Sequence, residues 1–357
     1  MPSAARLVRT DFWFRQKLPP LLALAYALLL VGAVEPISAA RVLPLVVLCI
    51  CFVAAYGHVI NDIFDIEMDA AAGKPNAMGA VSTGARVGLL IGLVGAGFGC
   101  LLLLGAQPLL IGLLATNYLL PTLYSAPPTR FKERGVSSVL SDLLASHVVP
   151  TLFVGMALCG ISVANPDLAN GLIASALAWA ALVGLRGILV HQAVDSHNDR
   201  GANVTTLGGR LGRGAVRAFV VKVILPFEGL TLAVLLYLIL PFSNVLVAAV
   251  FVYASGEVSR MWRGVRLPHV HPEEPDREPH VPFLKNDFHE VWLPCALALQ
   301  LALNNTAYAA LFIAHVILFR HGVREVTLLL FKFVQAQVNG SFAAFNNATT
   351  TRREPDA

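Results

Sequence analysis

The chain has 357 residues, of which 56% are hydrophobic and only 13% are charged, with a small net charge of +4. Soluble domains carry about 25% charged residues, so this composition excludes an ordinary soluble enzyme and offers no basic surface for a nucleic-acid partner. The sequence therefore predicts an all-α, polytopic protein that lies in the lipid bilayer.

Nine apolar segments predict membrane-spanning helices, which need about 20 residues each. We expect them at about 19–35, 41–61, 85–105, 107–124, 138–160, 170–194, 214–240, 243–261 and 290–320. The last segment is interrupted by Pro294 and by the polar Asn304-Asn305-Thr306 triplet, which would give either a kink or a re-entrant pair. A tenth crossing stays open, because the basic C-terminus conflicts with an odd number of spans.

The basic residues indicate how these spans are oriented. The N-terminal side and the loops after even-numbered spans hold 19 of the 26 Lys and Arg residues. By the positive-inside rule, these loops face the cytoplasm.

The chain divides into three predicted parts. Residues 1–18 are expected to form an interfacial segment, 19–322 the transmembrane domain, and 323–357 an amphipathic segment with a disordered tail. The first apolar run follows basic residues, as in a signal peptide, but so polytopic a chain favours an uncleaved first span. The polar, histidine-rich connection at 262–289 is expected to be a flexible loop or lid, with a metal site as the alternative.

An acidic stretch follows the second apolar run directly. On a continuing helix, Asp62, Asp65 and Asp69 fall on one face, where their charges repel one another. Carboxylates near a membrane boundary are costly, so we expect a bound cation, with an acidic solvated helix end as the alternative. Ligands that are all oxygen favour Mg²⁺ over Zn²⁺ or Cu²⁺.

A second acidic pair follows the sixth span. Asp195 and Asp199 are four residues apart, hence on one helix face and at the same membrane boundary as the first cluster. Two such clusters facing each other across a bundle would form a metal site with room for a diphosphate. His58 and His191, each one turn deeper than an aspartate, are expected either to line this cavity or to hydrogen-bond within the core.

A basic loop follows the fourth span, at residues 124–132. Its two prolines turn the chain and present Arg130 and Lys132, which suit phosphate, although an ordinary positive-inside anchor is the alternative.

Together these features resemble the UbiA superfamily of intramembrane prenyltransferases, over about residues 10 to 320. Its NDxxDxxxD motif is matched by Asn61, Asp62, Asp65 and Asp69. Its DxxxD motif is matched by Asp195 and Asp199, followed by Arg200. The basic loop is similar to the YSxPPxRxK form found in part of the superfamily, and one departure is Ala77, where an arginine is common.

The resemblance implies a UbiA-like bundle of about nine helices around a central cavity, in which Mg²⁺ and an isoprenoid diphosphate bind. The metal ligands would be Asp62, Asp65, Asp69, Asp195 and Asp199. Catalysis would depend on Asp62, Asp65, Asp195, Asp199 and Lys132. Substrate contacts would come from Asn61, Asp69, Lys74, Asn76, Tyr124, Arg130, Arg200, His58 and His191.

The acceptor, a small molecule or a lipid, is not specified by the sequence. It would depend on cavity residues such as His58, Asn117, His147, Arg186 and His191, although an intramembrane arginine can also pair internally or snorkel. Alternatives to prenyl transfer are a terpene cyclase of the same superfamily, a polyprenyl-phosphate glycosyl or phosphoribosyl transferase and, from another class, a membrane transporter.

Overall fold

The structure, a computed structural model, describes residues 7–71, 73–161, 164–201, 206–262 and 287–339. The predicted loop at 262–289 lies mostly outside these residues, and the predicted disordered tail beyond residue 339 lies wholly outside them. The described ranges fold into helices joined by short turns, as the all-α prediction requires.

We number the α-helices in chain order. They are α1 (Thr10–Val31), α2 (Pro36–Ala71), α3 (Thr83–Leu103), α4 (Pro108–Ser125), α5 (Val136–Leu143), α6 (Val149–Cys159), α7 (Pro166–Gly201), α8 (Leu207–Leu211), α9 (Arg213–Phe219), α10 (Leu225–Ile239), α11 (Asn244–Trp262), α12 (Leu293–Asn304), α13 (Ala309–Leu318) and α14 (Arg320–Asn339). Three further segments within the described ranges are π-helical: Leu144–Val148, Val220–Ile224 and Phe288–Trp292.

Six helical stretches of the described chain are long and apolar enough to cross a membrane. They are Trp13–Val31, Pro36–Ala71, Thr83–Leu103, Val136–Cys159, Pro166–Val194 and Arg213–Phe242. A seventh is possible if Thr306–Leu318 and Arg320–Leu328, which meet at 79°, form one span.

The count differs from the nine predicted spans for local reasons. The polar residues of α4 lower its mean hydropathy, and the apolar part of α11, Asn244–Val258, is too short. The predicted last span breaks where α12 ends at Asn304, because Asn305 is extended. The polytopic prediction is confirmed, and the interruption at Asn304-Asn305 lies where the sequence placed it.

Helix α1 lies at the centre of the bundle. Residues 21–31 are apolar on every face and are all buried, which is the pattern of an interior helix. It packs against α12, α6 and α7. The start of α1 is therefore held beside the elements that carry the polar residues.

Helices α2 and α7 place the two acidic motifs. Each has 36 residues and is thus about 54 Å long, which exceeds the roughly 30 Å of a hydrocarbon core. Both motifs occupy the C-terminal part of their helix, so they belong at a membrane boundary.

Candidate active site

Asp62 is the most deeply buried carboxylate of the first acidic motif. Its side chain is 1% exposed, and Arg9 Nε, just before α1, lies 3.0 Å from its Oδ2. This contact is an ion pair without hydrogen-bond alignment, and within the described chain neither carboxylate oxygen has a hydrogen-bond partner. Arg9 lies at Oδ2, whereas Oδ1 has neither an ion pair nor a hydrogen bond within the described chain, which is costly for a buried carboxylate and favours a further cation at that oxygen.

The basic loop reaches the same motif. Lys132 Nζ contacts the Asp65 carboxylate directly and lies 3.2 Å from Asn61 Oδ1, while Arg130 Nη2 lies 3.4 Å from Asp65 Oδ1. Burial lowers the pKa of the Lys132 ammonium, and the neighbouring Asp65 opposes that change. Because Lys132 and Arg130 both lie at the Asp65 carboxylate, a phosphate bound beside Asp65 would contact both cations.

Two contacts hold Asn61 of α2 and Arg130 of the basic loop in place. Ser125 at the end of α4 donates to Asn61 Oδ1 at 3.2 Å, and Arg130 also pairs with Glu133. Tyr124 beside it is half-buried.

Asn76 fastens the loop after α2 back onto that helix. Its Nδ2 donates to Asp69 Oδ2 at 2.8 Å and to the Asp62 carbonyl at 2.9 Å, and its Oδ1 accepts from the Met78 N–H. The Asn76 amide therefore orients the Asp69 carboxylate. Lys74 is exposed, and its backbone N–H donates to the Asp69 carbonyl.

The second acidic motif lies at the same end of the bundle. Gln192, three residues before Asp195, donates to Ser138 Oγ at 2.9 Å, just beyond the basic loop. Gly135, which directly precedes α5, forms a backbone bridge with Thr206, which follows α7.

The side chains of Asp195, Asp199 and Arg200 lie outside the part that the structure describes. Among the side chains that are described, no group of three or more His, Cys, Asp or Glu residues is arranged to hold a metal ion.

The remaining predicted residues separate by position. His58 is half-buried and lies within range of the charges of Arg9 and Lys17, whereas His191 is exposed. Asn117 is fully buried, and its amide has no hydrogen-bond partner within the described ranges. His147 and Arg186 have other partners: His147 Nε2 lies 2.7 Å from Lys17 Nζ, and Arg186 pairs with Glu228.

Sequence reasoning missed Arg9 and Glu133. The N-terminal basic residues indicated a helix at the headgroup level, and only the central position of α1 brings Arg9 to Asp62. The pairing of Glu133 with Arg130 had a possible signal, since the two residues are three positions apart.

Comparison with known proteins places the chain among prenyltransferases. A family model for the UbiA prenyltransferase family matches residues 18–274. A lycopene elongase/hydratase of Halobacterium salinarum is 32% identical over 223 residues, which are 60% of this chain and 72% of that protein.

Similar folds are found among solved structures. A UbiA homolog from Archaeoglobus fulgidus bound to DMAPP and Mg²⁺ covers 84% of this chain and 98% of its own, at 17% identity and a TM-score of 0.54. The same homolog bound to GPP and Mg²⁺ covers 85% and 99%, at 16% identity and a TM-score of 0.54. At these identities the likeness establishes the fold.

Proposed function

Because the chain belongs to the UbiA prenyltransferase family, we propose that it transfers an isoprenoid group from its diphosphate to an acceptor at the aspartate-rich end of α2 and α7. The observation that carries this proposal is the buried Asp62 carboxylate, whose oxygens lack hydrogen-bond partners within the described chain. It lies one turn from the Asp65 carboxylate and its two phosphate-suited cations.

The residues fit magnesium. The donors of the first motif are oxygen atoms, the ligands that Mg²⁺ prefers, and the archaeal homolog was solved with that ion. The ligands would be Asp62, Asp65, Asp69, Asp195 and Asp199. When bound, Mg²⁺ supplies the charge neutralisation that makes diphosphate a competent leaving group.

The chain's own groups would bind and orient the donor. Lys132 and Arg130 would donate to phosphate oxygens, with further contacts from Lys74 and Arg200, while Asn61 stays oriented by Ser125. As the carbon–oxygen bond breaks, these cations stabilise the charge that develops on the diphosphate.

The carbon end of the donor would extend from the aspartates into the bundle, where the apolar interior keeps water from the allylic carbon. There the acceptor's electron pair forms the new bond to carbon, the bond to the diphosphate oxygen breaks, and diphosphate leaves with the proton that the acceptor gives up.

The test is release of diphosphate by the purified protein from dimethylallyl, geranyl or geranylgeranyl diphosphate in the presence of a membrane-lipid extract as the source of acceptor, with intact donor expected when the extract is left out. We expect release that requires Mg²⁺ and stops with a chelator. A cyclic hydrocarbon formed from geranylgeranyl diphosphate without acceptor would instead identify a terpene cyclase. If these donors are neither bound nor turned over, the proposal fails.

We also propose that this end faces the cytoplasm, as the distribution of Lys and Arg supports. A cysteine introduced at the exposed Lys74 should react with an impermeant reagent in inside-out vesicles and stay unreacted in intact cells.

Close packing between Gly208 of α8 and the part of α7 that precedes Asp195 should matter for turnover. A Cβ on Gly208 would lie 2.8 Å from the Leu189 carbonyl oxygen and 3.0 Å from the Ala193 N atom, both in α7. Gly208→Ala should therefore push α8 away from the helix that carries Asp195. A displacement of about 1 Å can cost about a hundredfold in rate, so we expect diphosphate release to fall at least tenfold.

The matched control for Gly208→Ala is Gly214→Ala in α9. A Cβ at Gly214 meets nothing within 4 Å, and alanine is the better helix former, so rate and thermal stability should be retained. Equal rates for the two variants would contradict this role of Gly208.

A further inference from the structure

Gln192 is a buried residue of α7 whose side-chain amide connects two other helices. Its side chain is 4% exposed. Its Nε2 donates to Ser138 Oγ of α5 at 2.9 Å, and its Oε1 accepts from the Gly208 N–H of α8 at 3.0 Å. A backbone N–H can only donate, so the contact with Gly208 fixes which end of the amide is the oxygen. Each end of the Gln192 amide is therefore bonded to a different helix.

Gln192 shares a helix face with the second acidic motif. Positions 192, 195 and 199 are spaced i, i+3 and i+7, the spacing that also relates the three aspartates of the first motif. All three positions belong to the single helix α7. A rotation of α7 about its axis that moved Gln192 would therefore turn the whole motif with it.

Arg213, the first residue of α9, holds the next two residues of α7. Its Nε donates to the Ala193 carbonyl at 3.2 Å, and its Nη2 donates to the Val194 carbonyl at 3.0 Å. A guanidinium is planar and rigid, so it can bond two successive carbonyls only in one orientation of the helix. Arg213 is exposed, and its contribution is these two bonds. We refer to Gln192 and Arg213 as the α7 clamp.

The backbone that follows α7 permits these contacts. A Cβ at Gly208 would lie 2.8 Å from Gln192 Cβ, so glycine lets α8 approach closely enough for its N–H to reach the amide. Gly212 has a φ of +80°, which favours glycine, and it forms the turn at which α9 begins with Arg213. Both partners of the clamp thus depend on local backbone geometry.

The α7 clamp also reaches the basic loop. Ser138 is 1% exposed and lies in the first turn of α5, shortly after that loop. Gly135, just before α5, forms the backbone bridge with Thr206, just before α8. Lys132, at the end of the loop, contacts the Asp65 carboxylate. The clamp therefore connects the helix of the second motif to the loop that contacts the first motif.

We propose that Gln192 and Arg213 are positioning residues of the donor site. They hold α7 in the rotation at which Asp195 and Asp199 face the basic loop and the first motif, and they act through these aspartates. The assignment rests on the proposed function, because this rotation matters for turnover only if both motifs hold the same metal. Residues that orient metal ligands contribute about 10- to 100-fold to metal affinity.

The test is binding of Mn²⁺, which prefers the same oxygen ligands as Mg²⁺, to the full-length protein in detergent. Bound ion is measured from the loss of the electron paramagnetic resonance signal of free Mn²⁺. Gln192→Met keeps the length of the side chain and removes both hydrogen bonds of the amide. We expect this variant to bind Mn²⁺ at least about tenfold more weakly than the wild type, with a parallel loss of diphosphate release.

The matched control is Gln300→Met in α12. Gln300 is also buried, and its Oε1 accepts from Ser243 Oγ at 3.4 Å and from the Val245 N–H at 3.1 Å. It thus bonds the same two kinds of group as Gln192, a serine hydroxyl and a backbone N–H. Both variants leave a buried N–H without its acceptor, so both should unfold at a lower temperature than the wild type. Only Gln192→Met should lose affinity for Mn²⁺.

Arg213→Met tests the same role at an exposed residue, where the fold should be retained. It removes both bonds to the α7 carbonyls and should also weaken Mn²⁺ binding about tenfold. Its control is Arg217→Met, four residues later in α9 and likewise exposed. Arg217→Met should bind Mn²⁺ within about twofold of the wild type.

The outcomes separate this inference from the proposed function. If the wild type releases diphosphate, but Gln192→Met binds Mn²⁺ as tightly as Gln300→Met does, the clamp has no positioning role while the proposed function stands. Wild-type affinity in Arg213→Met overturns its part in the same way. If the wild type neither binds Mn²⁺ nor releases diphosphate, the proposed function and the inference fail together.

Discussion

Replacing Asp62 with asparagine should lower Mg²⁺-dependent diphosphate release about a thousandfold. The substitution keeps the shape of the side chain but removes the charge that faces the interior with both oxygens lacking hydrogen-bond partners in the described chain. Single groups that stabilise charge in a transition state contribute about 10²–10³ in rate, and a metal ligand should lie at the upper end.

The thermal stability of the Asp62→Asn variant should not fall together with its rate. A buried carboxylate without hydrogen bonds is costly, and its partner Arg9 is about one-third exposed, so removing the charge should leave thermal stability unchanged or higher. Rate and unfolding temperature measured on one preparation separate catalysis from folding.

The matched control is Glu67→Gln, on the same helix and in the same acidic stretch. Glu67 is exposed, and its rate should stay within about twofold of the wild type. If Asp62→Asn retains the wild-type rate, the magnesium model loses its central ligand and must be abandoned.

Breaking the ion pair between Arg186 and Glu228 should cause the largest loss of stability. Arg186 is 3% exposed and Glu228 is fully buried, and they meet through two hydrogen bonds. Removing one partner leaves a buried charge uncompensated, which costs about 3–5 kcal/mol. Glu228→Gln and Arg186→Met should therefore both unfold at much lower denaturant concentration or temperature.

The double variant is the informative control. Arg186→Met with Glu228→Met removes both charges and keeps most of the volume, so much of the lost stability should return. Equilibrium unfolding in detergent of the wild type, the two single variants and the double variant gives the coupling. Additive losses would mean that the two residues act independently.

The first motif and its basic loop were accessible to sequence reasoning because both are local. Spacing alone places Asp62, Asp65 and Asp69 on one face of a helix, and charge complementarity brings Arg130 and Lys132 towards them. The structure brings the loop cations to Asp65. The family and the all-helical fold are confirmed.

The contacts of the N-terminal residues were not accessible in the same way. A basic residue before an apolar run has the same pattern whether it meets lipid headgroups or an aspartate, and the difference depends on where α1 packs. Arg9 and Lys17 therefore looked like anchors, although one meets Asp62 and the other His147.

The internal pair of Arg186 was only half predictable. An arginine within a span indicates a partner, but Glu228 lies on another helix, and no pattern in the sequence selects it. The number of spans differs for a separate reason: α4 carries polar residues and the apolar part of α11, Asn244–Val258, is short, whereas the break at Asn304 was expected.

The central position of α1 has a consequence for changes in chain length. Deleting or inserting one residue in its first turns would rotate everything beyond by about 100°, turning Lys17 away from His147 while Arg9 stayed beside its carboxylate. Segments close to a terminus usually tolerate such edits. The segment from Arg9 to Lys17 therefore fixes the spacing between the contact with Asp62 and the contact with His147, and its length should tolerate little change.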